Sequence, residues 1–128
     1  MKRLTIEWVT KAEGDFHTAQ RELRARVMPN HDSSCFHSQQ CIEKYLKARL
    51  QEAGTAFPHT HDLELLLKLV LPVEPLWSGL LSAMRLLTVY AVNVRYPGSQ
   101  VSRIQAREAF GHCRAIRRLL RASLGLKP

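Results

Sequence analysis

The chain has 128 residues, a length that favours one domain with a real hydrophobic core. Its apolar content of 45% is ordinary for a water-soluble protein. No apolar run reaches the roughly 18–20 residues that span a bilayer, and the charged N-terminus lacks the apolar centre of a signal peptide. We therefore expect a single domain over residues 1–128 that is cytoplasmic and has no membrane partner.

The net charge of +8 is concentrated at one end of the sequence. Residues 95–128 contain eight basic residues against Glu108 alone, whereas residues 1–94 contain eleven basic and ten acidic residues. This asymmetry predicts a polyanionic or acidic partner for one face of the protein. The three cysteines form no CxxC pair, so we expect free thiols, no metal site and no cofactor.

The predicted elements are helices joined by short polar loops, with no alternating strand pattern. The first helix covers about residues 5–27, where apolar residues recur three or four positions apart as far as Val27. The second begins near Asp32 or Ser33 and ends before Gly54, a typical helix-stop residue. Gln39 falls on its apolar stripe, and a buried amide there needs hydrogen-bond partners.

The second half of the chain predicts three further helices. One covers about residues 62–70, with Thr60 as its N-cap, and the next begins near Pro75 and ends at Tyr96. The last helix begins with a capping box at Ser102. Its apolar stripe faces inwards, and its outer face carries Arg103, Arg107, Arg114, Arg118 and Arg121. The predicted fold is all-α, an up-and-down bundle of four to five helices.

Three motifs in order resemble a known family. The segment 36-FHSQQCIEKYLKARL-50 closely resembles the Phe-His-x-Gln-Gln-x-x-Glu-Lys-x-Leu-Lys signature of stand-alone prokaryotic HEPN domains. The stretches 60-THDLELL-66 and 90-YAVNVRYPG-98 match further along, with an early tryptophan, Trp8, and a long closing helix. The resemblance covers essentially the whole chain.

This resemblance implies a HEPN-like helical bundle that is often a homodimer. Small members of the family are commonly encoded beside a minimal nucleotidyltransferase, as toxin–antitoxin-like pairs. Many HEPN proteins are metal-independent ribonucleases with an Arg-x(4–6)-His motif paired across a dimer, and others lack the motif and act as binding modules.

Candidate ribonuclease residues are weak in this sequence. The chemistry needs a histidine for proton transfer and an arginine on the phosphate. Arg26 with His31 and Arg107 with His112 have the spacing, as does Arg24 with His31, but six histidines in an arginine-rich chain produce such pairs by chance. At the place where the resemblance puts the motif, the chain has apolar residues. Arg107 and His112 also diverge around a helix.

Other candidates point to binding. Lys44 and Lys47 form either a solvated face or a row that contacts phosphate or a partner. Thr60-His61-Asp62 is either a helix cap or one side of a cleft next to the second helix, and His59 with His61 lacks the further ligands of a zinc site. The arginines on the outer face of the last helix are either soluble surface or a contact for RNA, nucleotide or an acidic protein.

Arg95 and Tyr96 stand at a rigid corner before Pro97 and Gly98. Tyr96 either packs to lock the turn or, as the family's pairing with nucleotidyltransferases implies, accepts a nucleotidyl group while Arg95 holds the triphosphate.

We therefore expect a homodimeric, non-catalytic nucleotide- or RNA-associated module that partners a minimal nucleotidyltransferase. The alternatives are a metal-independent ribonuclease toxin and a scaffold that binds only protein.

Overall fold

The second helix lies at the centre of the bundle. The structure, a computed structural model, describes residues 1–94 and 96–128, which form five α-helices and one 3₁₀ helix, with no strand among them. The α-helices are α1 (Arg3–Arg24), α2 (His31–Ala53), α3 (Leu63–Val70), α4 (Leu81–Asn93) and α5 (Arg103–Ser123), and the 3₁₀ helix is Pro75–Leu80. Helix α2 packs against each of the other α-helices. The predicted all-α bundle is confirmed.

Helix α2 is buried on most of its circumference, as its central position requires. Ile42, Leu46 and Leu50 are fully buried in the core, and Gln39 is only 3% exposed, as predicted. The helix begins at His31 rather than at Asp32 or Ser33, because the side chain of Asn30 caps it by accepting a hydrogen bond from the Ser33 N–H. It ends at Gly54, which adopts the left-handed conformation (φ 72°) expected of a helix stop.

Helix α1 ends earlier than its apolar pattern predicted. It stops at Arg24, and Val27, which the pattern placed on the inner stripe, is 82% exposed. A proline disfavours the helical region for the residue before it, so Pro29 excludes Met28 from the helix. Met28 instead adopts a left-handed conformation (φ 50°). The chain therefore reverses within the six residues between Arg24 and His31.

The caps of the later helices differ in detail from the prediction. Asp62, not Thr60, is the N-cap of α3, since its carboxylate accepts hydrogen bonds from the Glu64 and Leu65 N–H groups. The Thr60 hydroxyl instead accepts from the Asp62 N–H and fixes the preceding turn. The capping box of α5 is confirmed, with Ser102 and Gln105 bonded reciprocally.

The predicted fourth helix is divided. Pro75 opens the 3₁₀ helix, and α4 begins only at Leu81. By length and composition alone, Pro75–Asn93 is the one stretch of the described chain that is apolar enough to cross a membrane, and 22% of that window is buried in the bundle. Its α-helical part has 13 residues and is therefore about 20 Å long. Because a bilayer core is roughly 30 Å thick, the stretch does not indicate a membrane protein.

The carboxylate of Glu13 ties α1, α2 and α5 together. Arg117 donates two hydrogen bonds to it, Nε to Oε2 at 2.7 Å and Nη2 to Oε1 at 2.6 Å. The Tyr45 hydroxyl donates a third at 2.6 Å and itself accepts from Arg121. The Arg117 guanidinium also lies 4.2 Å from the centre of the Phe16 ring. These contacts fix the rotation of α5 against the rest of the bundle.

Burial by itself raises the pKa of Glu13, but the hydrogen bonds from Arg117 and Tyr45 and the charges of Arg117 and Arg121 outweigh it, so the pKa is lower than the ordinary 4.5. A carboxyl group with a lower pKa in the folded state stabilises the fold above its unfolded pKa. That contribution is lost as the pH falls from about 4.5 through the folded pKa.

Glu13→Gln should therefore lower the free energy of unfolding at pH 7 by about 1.5–3 kcal/mol, because Arg117 loses a charged acceptor. The measurement is urea denaturation followed by circular dichroism, repeated from pH 7 to pH 3. The deficit of the variant should shrink as the pH falls below 4.5. Glu7→Gln is the matched control, because Glu7 is an exposed residue on α1 that pairs with Arg3 at 3.9 Å. A deficit equal to that of the control would contradict the claim that Glu13 holds α1, α2 and α5 together.

Candidate functional site

An open groove of about 700 Å³ lies where the end of α1 meets the beginnings of α2 and α5. It carries six basic side chains above an apolar floor. We call it the arginine groove; its lining residues are Leu23, Arg24, Ala25, Arg26, Pro29, His31, Arg103, Arg107, Phe110, Gly111 and Arg114.

Two segments supply the arginines. Arg103, Arg107 and Arg114 lie four and seven residues apart on α5, so they share one face of that helix. Arg24 and Arg26 come from the end of α1 and the reversal that follows it. One hydrogen bond fixes the two sides, since Asp32 at the beginning of α2 accepts from the Val101 N–H just before α5. The groove is therefore shaped by the chain reversal after α1 and by this hydrogen bond between the beginnings of α2 and α5.

The groove arginines have no counter-charge in the described part of the chain. None of the five guanidiniums makes a hydrogen bond or ion pair within residues 1–94 and 96–128, and no carboxylate lines the groove. Glu108 follows Arg107 in sequence, but its carboxylate accepts instead from the Tyr90 hydroxyl at 3.3 Å. Five like charges around one space repel each other. The arrangement therefore has the electrostatics of a site that binds an anion.

Helix stability does not explain the position of Arg103. Arg103 is the first residue of α5, whose first turn contains no acidic residue. The N-terminus of a helix carries a partial positive charge, so an arginine there is unfavourable. Arg103 therefore destabilises the N-terminus of α5, which favours a role for this residue in binding.

The floor of the groove is apolar and closed to stacking. Phe110 is only 4% exposed and stacks on Phe16, with ring centroids 5.3 Å apart. His31 lies at the first position of α2, and its Nδ1 atom is buried without a hydrogen-bond partner. The beginning of α2 adds the positive end of its helix dipole. The groove therefore offers charge and hydrogen-bond donors, and its one phenyl ring is buried.

The candidate residues on α2 are engaged within the protein. Lys44 donates to Asp15 at 2.6 Å, and the same carboxylate accepts from His37 at 2.7 Å. Lys47 is 6% exposed, donates to the buried Glu43 at 3.1 Å and lies 5.4 Å from the Trp8 ring centre. They do not form a free row of cations for phosphate.

His61 and Asp62 serve the loop before α3. The Nδ1 atom of His61 lies 2.9 Å from Oε1 of Glu43, and its backbone carbonyl accepts from Gln39. Its side chain is 70% exposed, so His61 lies at the edge of the buried Gln39–Glu43 pair and does not line a cleft. Asp62 caps α3, as described above. Among residues 1–94 and 96–128, no group of three or more metal-binding side chains is placed to hold an ion.

The outer arginine row of α5 divides in the structure. Arg103, Arg107 and Arg114 line the groove, whereas Arg118 is exposed outside it. Arg121 is not on the exposed face, because it donates to the Tyr45 hydroxyl at 2.9 Å and to the Lys127 carbonyl. His112, predicted to diverge from Arg107, does not line the groove. Arg95 lies outside the described residues, and Tyr96 is 64% exposed.

A family model described as HEPN domain matches residues 5–123. The chain belongs to the HEPN family. No curated protein and no solved structure matches it.

The family signature of this HEPN protein and its groove are different parts of the molecule. The signature lies on α2, where His37, Gln39, Glu43 and Lys44 make internal contacts. The groove also contains Phe110, which the sequence analysis did not select, and Arg24, which it paired with His31 by spacing alone. The available signal for Arg24 was the presence of three arginines within residues 21–26. The residues paired by spacing alone, Arg26 and His31, do meet here, together with Arg107.

If the arginines of the groove repel each other, removing one should stabilise the free protein. Arg103→Gln is expected to raise the free energy of unfolding by a few tenths of a kcal/mol at low ionic strength, because repulsion and the unfavourable helix-dipole contact are both relieved. Thermal unfolding in 20 mM and 500 mM salt measures it, and the gain should disappear at high salt. Arg118→Gln, on the same helix outside the groove, should show no gain. Destabilisation by Arg103→Gln at both salt concentrations would mean that the residue is structural.

Proposed function

We propose that this HEPN protein is a non-catalytic module that binds the phosphates of RNA or of a nucleotide in the arginine groove. The observation that carries the proposal is the set of five unpaired guanidiniums around one space without a lining carboxylate. Guanidinium is the side-chain group best suited to bidentate contact with phosphate oxygens. The concentration of positive charge in the last third of the sequence supports the same reading.

Binding of RNA should be sensitive to salt and to the groove. Arg107→Gln is expected to weaken the binding of a labelled single-stranded RNA and to reduce the slope of log K against log salt by about 0.7, the value for one phosphate contact on a single strand. Fluorescence anisotropy between 50 and 250 mM salt measures both quantities. Lys11→Gln, an exposed change on α1 outside the groove, should alter neither.

Equal affinities for the wild type, Arg107→Gln and Lys11→Gln would contradict the proposal. Binding that is lost equally in both variants would mean that net charge, rather than the groove, is responsible.

A ribonuclease is the second candidate, and one observation favours it. Arg26, His31 and Arg107 share the groove, and a histidine beside arginines is the minimum for metal-independent cleavage of RNA. Against it, the Nδ1 atom of His31 is buried. Incubation of the RNA with the protein in EDTA separates the two functions. Intact RNA supports the module, whereas cleavage that is lost in His31→Ala supports the enzyme.

We also propose that the protein associates with a second copy and with a minimal nucleotidyltransferase, in a toxin–antitoxin-like pair. Family membership supports this assembly. Self-association of a chain with a net charge of +8 needs a face without free charge, and α4 offers one. Val89 and Val92 are about half exposed there, and Arg85 is neutralised by Glu64 at 2.7 Å. Light scattering should give twice the chain mass of 14.6 kDa. The mass of a single chain would contradict the proposed homodimer.

Tyr96 is the proposed acceptor for the partner enzyme, since its ring is 64% exposed. Its phenol oxygen would attack the α-phosphorus of ATP, the bond to the β-phosphate would break, and pyrophosphate and the phenol proton would leave. Mass spectrometry after incubation with the nucleotidyltransferase and ATP should show one added AMP, absent from Tyr96→Phe. Tyr90→Phe is the control, because Tyr90 is half-buried and bonded to Glu108. Equal addition to Tyr96→Phe would eliminate the idea.

A further inference from the structure

We infer that Cys41 and Cys113 form a disulfide between α2 and α5 when the chain folds in the presence of a small-molecule disulfide such as glutathione disulfide. The bond makes this pair of residues a redox-sensitive lock that holds the last helix on the bundle. Neither cysteine lines the arginine groove, so the inference does not depend on the proposed function.

The contact between the two thiols is the first reason. Cys41 and Cys113 are both fully buried, and both are free thiols in this structure. They share a hydrogen bond, so their sulfur atoms lie next to each other across the interface between α2 and α5. Cys35, the third cysteine, lies six residues before Cys41 on α2, about 9 Å along the helix axis. That separation is more than a disulfide spans.

The register of the two helices is the second reason. Where both helices begin, Asp32 accepts a hydrogen bond from the Val101 N–H. Further along, the Arg121 guanidinium donates to the Tyr45 hydroxyl. The helices therefore run parallel, and the two cysteines lie between these contacts. Because both contacts fix the register, the sulfur atoms meet whenever the bundle forms.

Small residues on α5 are the third reason, since they let its backbone approach α2 closely. Ala106, Ala109 and Cys113 recur on the buried stripe of α5, which packs mainly against α2. Packed helix axes are about 8–10 Å apart, and small side chains give the short end of that range. At about 8 Å, facing Cα atoms reach the roughly 4.4–6.8 Å that a disulfide requires. The bond therefore fits the packed bundle.

Burial determines when the bond forms. It raises the pKa of the Cys41 thiol well above the ordinary 9.0, and the hydrogen bond and charge of Cys113 raise that pKa further. The thiolate is the species that attacks a disulfide, so the folded, reduced protein should resist oxidation. In the unfolded chain the thiol returns to an ordinary pKa of about 8.5. Oxidation should therefore be fast during folding and slow afterwards.

The reaction consists of two thiol–disulfide exchanges. The thiolate of one cysteine attacks a sulfur of glutathione disulfide, and one glutathione thiolate leaves. As the chain folds, the second cysteine loses its proton and attacks the mixed disulfide, and the second glutathione thiolate leaves. The two cysteines lose two protons and two electrons, and one glutathione disulfide is reduced to two glutathione molecules.

Refolding of the full chain tests the inference. The protein is reduced and unfolded in urea, freed of the reductant, and diluted into buffer with either glutathione disulfide or dithiothreitol. Peptide mass mapping should find Cys41 joined to Cys113 in the first sample alone. Because the bond joins positions about 70 residues apart, it restricts the unfolded chain. The thermal midpoint of the first sample should therefore be higher by about 10 °C.

Matched variants assign the gain to this pair. Cys35→Ala is the control, because Cys35 is equally buried on α2. It should keep the bond and the higher midpoint, whereas Cys113→Ala should lose both. The mass map of the wild type is informative even if a variant fails to fold. Glutathione disulfide added to the folded wild type should form the bond roughly tenfold or more slowly than it does during refolding.

Several results would overturn the inference. Glutathione adducts alone, or a bond that includes Cys35, would show that the pair does not close. A bond between Cys41 and Cys113 that leaves the midpoint unchanged or lower would show that the helices must move apart to form it. Equal rates for the folded and the refolding protein would contradict the role of burial.

Discussion

Glu13 separates two groups of arginines on the last helix. One group is bound to its carboxylate and belongs to the fold, and the other lines the arginine groove. Its carboxylate accepts two hydrogen bonds from Arg117 and lies 3.5 Å from Arg121. These two arginines are thereby part of the fold. Because they hold α5 at one rotation, Arg103, Arg107 and Arg114 face the end of α1 and form the groove. Without that restraint, the same arginines would be unspecific surface charge.

A similar division holds between α1 and α2, where two buried carboxylates each have two cationic or histidine partners inside the bundle. Asp15 is shared by His37 and Lys44, and Glu43 by Lys47 and His61. Buried carboxylates need such partners. The α2 residues of the family signature therefore maintain the fold of this protein, and the unpaired arginines of the groove lie elsewhere.

The sequence predicted the helices well because their signals are local. Gly54 and the capping box at Ser102 act within a few residues, and apolar spacing gave the buried faces. The end of α1 was predicted too late, since Val27 continues the apolar pattern while Pro29 acts against it. The division of the fourth helix into a 3₁₀ and an α-helical part was missed because Pro75 is compatible with both.

The groove was only half predictable. Arg103, Arg107 and Arg114 share a helix face and were identified from spacing, but their meeting with Arg24 and Arg26 depends on packing between residues about 80 positions apart. The side chain of Arg121 turns away from solvent because it donates a hydrogen bond to Tyr45, and the sequence did not predict this contact. Local pattern shows which residues share a face; it does not show which charges will be paired across helices.

The most direct test follows individual arginines by NMR. The Nε–H resonances of the arginine side chains can be recorded while inorganic tripolyphosphate is added to the full chain. We expect the signals of the five groove arginines to shift, because their guanidiniums are free to take the anion; these are Arg24, Arg26, Arg103, Arg107 and Arg114. The signals of Arg117 and Arg121 should stay, since Glu13 and Tyr45 hold them. Shifts of equal size at all arginines, or shifts largest at Arg118, would contradict the groove as the binding site.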